Sequence, residues 1–169
     1  MIAYFIDLAT LVAIFAIAAT SLGLLIGYAG IFSLAHAAFF GVGAYVGAQI
    51  AIHLPRDVPV ATLLAGLTAA VLSLCLALPA LRVRGEYFVA AGLGLQMMAS
   101  TVFTEARGLT GGVGGLTGIP QASLFGLDLS SPFAFLAVAI VALVLTLLSL
   151  RALLGGSFGR SLKAIRDSE

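Results

Sequence analysis

A chain of 169 residues that is 62% hydrophobic and 9% charged lacks the polar residues to cover a soluble surface, where roughly a quarter of residues are charged. Its 8 Lys+Arg against 7 Asp+Glu give a net charge of +1, which leaves no electrostatic claim on nucleic acid. A lone cysteine, Cys75 in VLSLCLAL, excludes an intrachain disulfide and reads as small apolar packing.

The opening MIAYFIDLAT has no Lys or Arg ahead of its apolar run, so it lacks the basic region of a signal peptide and reads as a retained span. The first apolar segment runs from about Leu8 to Ile26, near the ~20 residues that a helix needs to cross hydrocarbon. A second, about Gly27 to Leu54, is broken by LPRDVP. A third, about Val60 to Leu81, ends at RVRGE. The fourth, about Tyr87 to Thr104, leads into a long Gly-rich loop ending near Ser131. A fifth runs from Pro132 to Leu150, and a basic tail closes the chain. The expected fold is all-α: a polytopic membrane helix bundle of about five segments with a discontinuous second helix.

That second segment, GYAGIFSLAHAAFFGVGAY, is too polar and too rich in glycine for an ordinary span. Gly27 and Gly30 favour a break, after which Ser33 is placed to cap a restarted helix. Irregular backbone survives at membrane depth only when buried in protein or lining a wet cavity. Broken helices of this kind mark substrate pathways in transporters, although glycines that serve packing alone give the same pattern. Small residues one turn apart, at 37 and 41, 43 and 47, and Gly23 and Gly27, suit close helix contacts. His36 is a functional candidate or a satisfied structural histidine, and His53 reads as interfacial.

Charge sets the sidedness. Arg82 and Arg84 in one loop and Arg151, Arg160, Lys163 and Arg166 in the tail fall on one face, against Arg56 and Arg107 on the other. The positive-inside rule makes the first face cytoplasmic. The N-terminus then lies outside if the second segment crosses, and inside if it is re-entrant. In the tail, Phe158, Leu162 and Ile165 recur at helical spacing, which suits a short amphipathic helix at the membrane surface.

GLTGGVGGLTGIP lacks the lysine and hydroxyl of a phosphate-binding loop and does not match the dinucleotide spacing. The two histidines and the cysteine are too scattered for a metal site. No nucleophile–base pair stands out, so the chain reads as non-enzymatic. The absence of intramembrane carboxylates argues against an ion-driven pump.

Five collinear stretches carry a family resemblance. GYAGIFSLAHAAFFGVGAY, LPALRVRGEYFVAAGLGL, LTGGVGGLTGIP, LFGLDLSS and FGRSLKAIRDSE resemble signatures of high-affinity branched-chain amino acid ABC permeases, from about residue 20 to 169. The pattern is closer to the LivM-type than to the LivH-type subunit, and urea and short-amide permeases share much of it. The resemblance implies a multi-pass subunit of the bacterial inner membrane. Its partners would be a LivH-type permease subunit, two cytoplasmic ABC ATPase subunits and a periplasmic substrate-binding protein. No cofactor would be bound by this chain; ATP would sit on the ATPases.

Under this resemblance, Gly27, Tyr28, Gly30, Ser33, His36, Phe39 and Phe40 line the substrate pathway. Thr110, Gly111, Gly112, Gly115 and Gly118 form an external loop facing the binding protein. Arg82, Arg84, Glu86, Arg160, Lys163 and Arg166 mark the cytoplasmic face. Residues 1–169 would be the N-terminal part of one transmembrane domain, with 151–169 leading to an ATPase-coupling helix. Two residues depart from the pattern: Ala35 replaces a glycine, and Gln96 stands near a position often acidic in the family. The chain also stops at Glu169 on the threshold of the coupling helix, so a fragment or truncated product is expected. The competing functions are a non-transporting membrane scaffold and a passive channel.

Overall fold

The computed structural model describes residues 1–53, 58–80, 86–120, 123–124 and 127–166. The fold is an all-α polytopic membrane bundle. Helices α1 (Ile2–Ala29), α2 (His36–His53), α3 (Val58–Ala80), α4 (Glu86–Glu105) and α6 (Pro132–Gly155) are the long ones. Between α4 and α6 lie the one-turn α5 (Arg107–Thr110), a 3₁₀ turn (Gly112–Gly114) and a two-residue antiparallel ladder. In that ladder Ser123 pairs with Asp128 and Leu124 with Leu127. Helix α7 (Ser157–Arg166) follows α6 directly.

Three helical stretches are long and apolar enough to cross a membrane: Ile2–Ala29, Tyr87–Glu105 and Pro132–Gly155. They match the first, fourth and fifth expected segments. Helix α3 carries a shorter apolar run, Pro59–Leu74.

The expected break lies later than the sequence suggested. Gly27, Tyr28 and Ala29 continue α1, and the chain leaves the helix at Gly30, whose φ of 72° is left-handed. The backbone stays non-helical to Ala35, and α2 starts at His36. Ser33 therefore stands three residues before the first helical position, too early to be the N-cap. The LPRD segment, Arg82 and Arg84 lie outside the described residues, as do the side chains of Glu86 and Lys163.

The chain divides into two compact units, Met1–Ser33 with Leu129–Glu169, and Leu34–Asp128. In the first unit α6 is the main neighbour of α1. Ile6, Thr10 and Ala13, all buried, fall on one stripe of α1 at helical spacing. The two helices run parallel. Helix α7 starts where α6 ends and has 10 residues, which is about 15 Å of helix. Its Arg166 reaches Gly27 near the end of α1, so the C-terminal ends of α1 and α6 lie together.

In the second unit α2 pairs antiparallel with α3. A Cβ added at Gly43 would sit 3.9 Å from Ala69 Cβ, and one at Gly47 would sit 3.5 Å from Ala65 Cβ. Helix α4 runs parallel to α2: Gly92 lies beside Leu34 and Ala35, and Phe103 lies against Gly41. Tyr45 stacks on Phe103 with ring centroids 4.8 Å apart.

No large side chain is fully buried among the described residues; the buried apolar set is Ile6, Ala13, Ala35, Ala38, Ala65 and Ala139. Small residues thus dominate the buried set, and many large apolar side chains are exposed, as suits helices solvated by lipid.

Candidate functional site

Three places hold the residues that the sequence singled out. The first is the interruption between α1 and α2. Gly27, Tyr28, Gly30 and Ser33 belong to the first unit, whereas His36, Phe39 and Phe40 belong to the second. Gly27 O accepts a 2.8 Å hydrogen bond from Arg166 Nη1. Sequence reasoning put Gly27 and Arg166 in separate groups, and the structure brings them together. Gly23 and Gly27 were expected to admit a neighbouring helix, yet a Cβ at either would meet nothing within 4 Å among the described residues.

At the start of α2, Phe39 N–H donates to Ala35 O at 3.2 Å and opens the helical ladder. The amides before it precede that ladder, so they carry the positive end of the α2 dipole. Phe39 is half-buried and Phe40 is 40% exposed. Consecutive helical residues point about 100° apart, so the two rings leave α2 in different directions. His36 is half-buried in this first turn. A Cβ added at Gly92 of α4 would lie 3.6 Å from both Leu34 N and Ala35 N, so α4 passes close to the amides that lead into α2.

One turn beyond Gly92, and therefore on the same face of α4, stands Gln96. Its Oε1 is buried and has no hydrogen-bond partner among the described residues. A buried acceptor without a donor costs about 1–3 kcal/mol, so this atom marks a position that a further donor would stabilise. The sequence flagged Gln96 only as a departure from a family pattern.

The second place is the Gly-rich loop, where Gly111, Gly112, Gly115 and Gly118 all have positive φ, between 67° and 77°. These four are the glycines that the sequence had picked out. Their need is conformational, since only glycine adopts this region without a Cβ penalty. Thr110, 4% exposed, is the loop's internal tie. Its Oγ1 lies 2.7 Å from Phe103 O and 2.9 Å from Ala106 O, sharing one proton between them, and accepts Gly112 N–H at 3.2 Å. Gln49 Nε2 of α2 donates to Leu109 O, which fastens the loop to the end of α2. An open apolar groove of about 430 Å³ lies between α2 and the end of α4, lined by Tyr45, Gln49, His53, Phe103 and Leu109 among others. It was not legible in the sequence, because it depends on α2 and α4 being parallel neighbours.

The third place is α7, with Arg160 and Arg166 exposed. Among the described residues no group of three or more His, Cys, Asp or Glu side chains is placed to hold a metal ion.

A family profile described as the branched-chain amino acid transport system permease component matches residues 4–169. The high-affinity branched-chain amino acid transport system permease protein LivM of Escherichia coli (strain K12) is 29% identical over 188 aligned positions. The same-named protein of Salmonella typhimurium is 28% identical. Each alignment covers 97% of this chain and 44% of the relative, so the chain spans less than half the length of the curated relatives it matches. No solved structure matches it.

Proposed function

Because this chain belongs to the permease-component family of the branched-chain amino acid transport system, we propose that it is the N-terminal part of the transmembrane permease subunit of an ATP-driven importer of branched-chain amino acids. The importer would sit in the bacterial inner membrane. A LivH-type permease subunit, two cytoplasmic ATPase subunits carrying the ATP and a periplasmic binding protein would complete it. The names of both relatives support branched-chain amino acids over urea or short amides.

The observation that carries the finer reading is the unpartnered Gln96 Oε1 on the α4 face that meets the start of α2. An amino acid at neutral pH presents a carboxylate and an ammonium on one carbon. The amide-rich first turn of α2 attracts the carboxylate. The Gln96 oxygen accepts from the ammonium. Phe39 adds apolar surface in the same turn for an aliphatic side chain. On the outer side, the Gly-rich loop with its exposed Leu109 and Val113 faces the binding protein.

The test is uptake of labelled leucine by the native transporter. Gln96→Leu should lower uptake about tenfold or more, the loss expected when a charged group loses its hydrogen-bond partner. Gln96→Glu should retain it. Full uptake by Gln96→Leu removes Gln96 from the pathway. Wild-type transport of urea or acetamide in place of leucine replaces the substrate class. If no ATPase co-purifies with the chain, the scaffold reading takes over.

A further inference from the structure

The carbonyl end of α1 is closed by an arginine from another helix. The amides of Gly30 and Ile31 both turn to Leu25 O, the second at 3.1 Å. Ile31 N–H is the donor that a continued helix would give to Gly27 O, and its diversion leaves that carbonyl open. Arg166, on the last residue of α7, donates Nη1 to it at 2.8 Å. The guanidinium also brings a positive charge to the negative end of the α1 dipole.

The approach depends on residue 30 having no side chain. A Cβ on Gly30 would lie 2.7 Å from Arg166 Cγ, and the residue also has φ +72°. Two separate requirements therefore select glycine at this position. The other end of α7 is close-packed at its junction with α6. Gly159 is buried, and a Cβ there would fall 2.2 Å from Leu154 O, on the last turn of α6. Helix α7 is thus pinned at its start to α6 and at its end to α1, by two contacts that a methyl group would break.

We propose that Arg166 and Gly30 form a latch that makes α7 a rigid strap across the ends of α1 and α6, so that a displacement of α7 on the cytoplasmic side moves both membrane helices together. The latch itself stands on geometry. Its role in passing ATP-driven motion into the membrane rests on the transport reading above. Arg166 is a positioning residue here, with no contact to substrate required.

The experiment uses the native transporter in proteoliposomes, with Cys75→Ala and a spin label on Ser161→Cys. Arg166→Ala should raise the mobility of the label on α7. It should also cut leucine taken up per ATP hydrolysed by about fivefold or more, a coupling of ordinary size, while hydrolysis continues. Gly30→Ala should do the same with Arg166 intact, and the double variant should be no worse than either single one. Arg166→Lys should restore part of both readouts, since it returns the charge without the planar fork. Unchanged mobility in Arg166→Ala overturns the latch. Raised mobility with an unchanged uptake-to-hydrolysis ratio overturns its coupling role. A wild-type complex that moves no branched-chain amino acid refutes the transport reading and the coupling role with it, while the label still decides the latch.

Discussion

Gly111 shows how narrowly single residues fix the loop after α4. Its φ is 77°, and a Cβ on it would lie 2.1 Å from the backbone oxygen of Gly115. Side-chain rotation cannot relieve a clash between backbone atoms. Gly111→Ala should therefore lower stability by roughly 2 kcal/mol or more, combining left-handed strain with the collision. Thermal unfolding in detergent measures it, and a midpoint within a degree of wild type would contradict the account. A Cβ on Gly114, three residues away, would meet nothing within 4 Å, and its φ lies outside the left-handed region, so alanine there is the natural control. The sequence made Gly111, Gly112, Gly115 and Gly118 stand out as a cluster. It did not reveal why each is needed, because a left-handed turn and a close backbone approach leave the same letter. Gln96 was still less legible: an orphaned acceptor exists only once the neighbouring helices are in place.

At the scale of elements, the small-residue spacing of α2 was readable in advance and the identity of its neighbours was not. Gly43 and Gly47 face Ala69 and Ala65 of α3, whereas Gly41 takes the Phe103 ring of α4. The 3.5 Å between a Cβ at Gly47 and Ala65 Cβ is ordinary contact. Gly47→Ala should accordingly be neutral or stabilise by up to about 1 kcal/mol through helix propensity. Gly47→Leu has no such room and should cost about 1–3 kcal/mol by forcing α2 and α3 apart. The contrast between the two variants in unfolding midpoint is the measurement; equal effects would mean that the α2–α3 contact is looser than described. The helix boundaries were read less well. GYAG looked like the start of a broken segment, but three of its four residues still favour α1, and only the amide diversion at Gly30 and Ile31 ends it.

For the whole molecule, the parallel pairing of α1 with α6 decides a matter of parity. Both helices are long and apolar enough to span a membrane. Two parallel spans require an odd number of crossings between them. Helix α4 supplies one, so the antiparallel pair α2 and α3 either both cross or neither does. In each case the N-terminus and α7 lie on opposite sides, and the basic α7 belongs inside. A topology reporter at Met1 should read periplasmic and one following α7 cytoplasmic. Reporters on the same side would disprove the parallel arrangement. Of the two options left open by the sequence, this favours an outside N-terminus. The absence of Lys and Arg from the first ten residues points the same way.

The first unit is assembled from two stretches, Met1–Ser33 and Leu129–Glu169, with the second unit synthesised between them. A ribosome working at roughly 5–20 residues per second leaves α1 in the bilayer for on the order of ten seconds before α6 exists. During that interval any hydroxyl on α1 that needed a partner helix would face hydrocarbon unpaired. None of Thr10, Thr20 and Ser21 is in that position. Each donates to a carbonyl of its own helix, at Ile6, Ile17 and Ala18, within 2.9 Å. These three hydroxyls therefore need no companion helix, whereas the Gly27 carbonyl at the end of α1 waits for Arg166 of α7, which the order of translation delivers late.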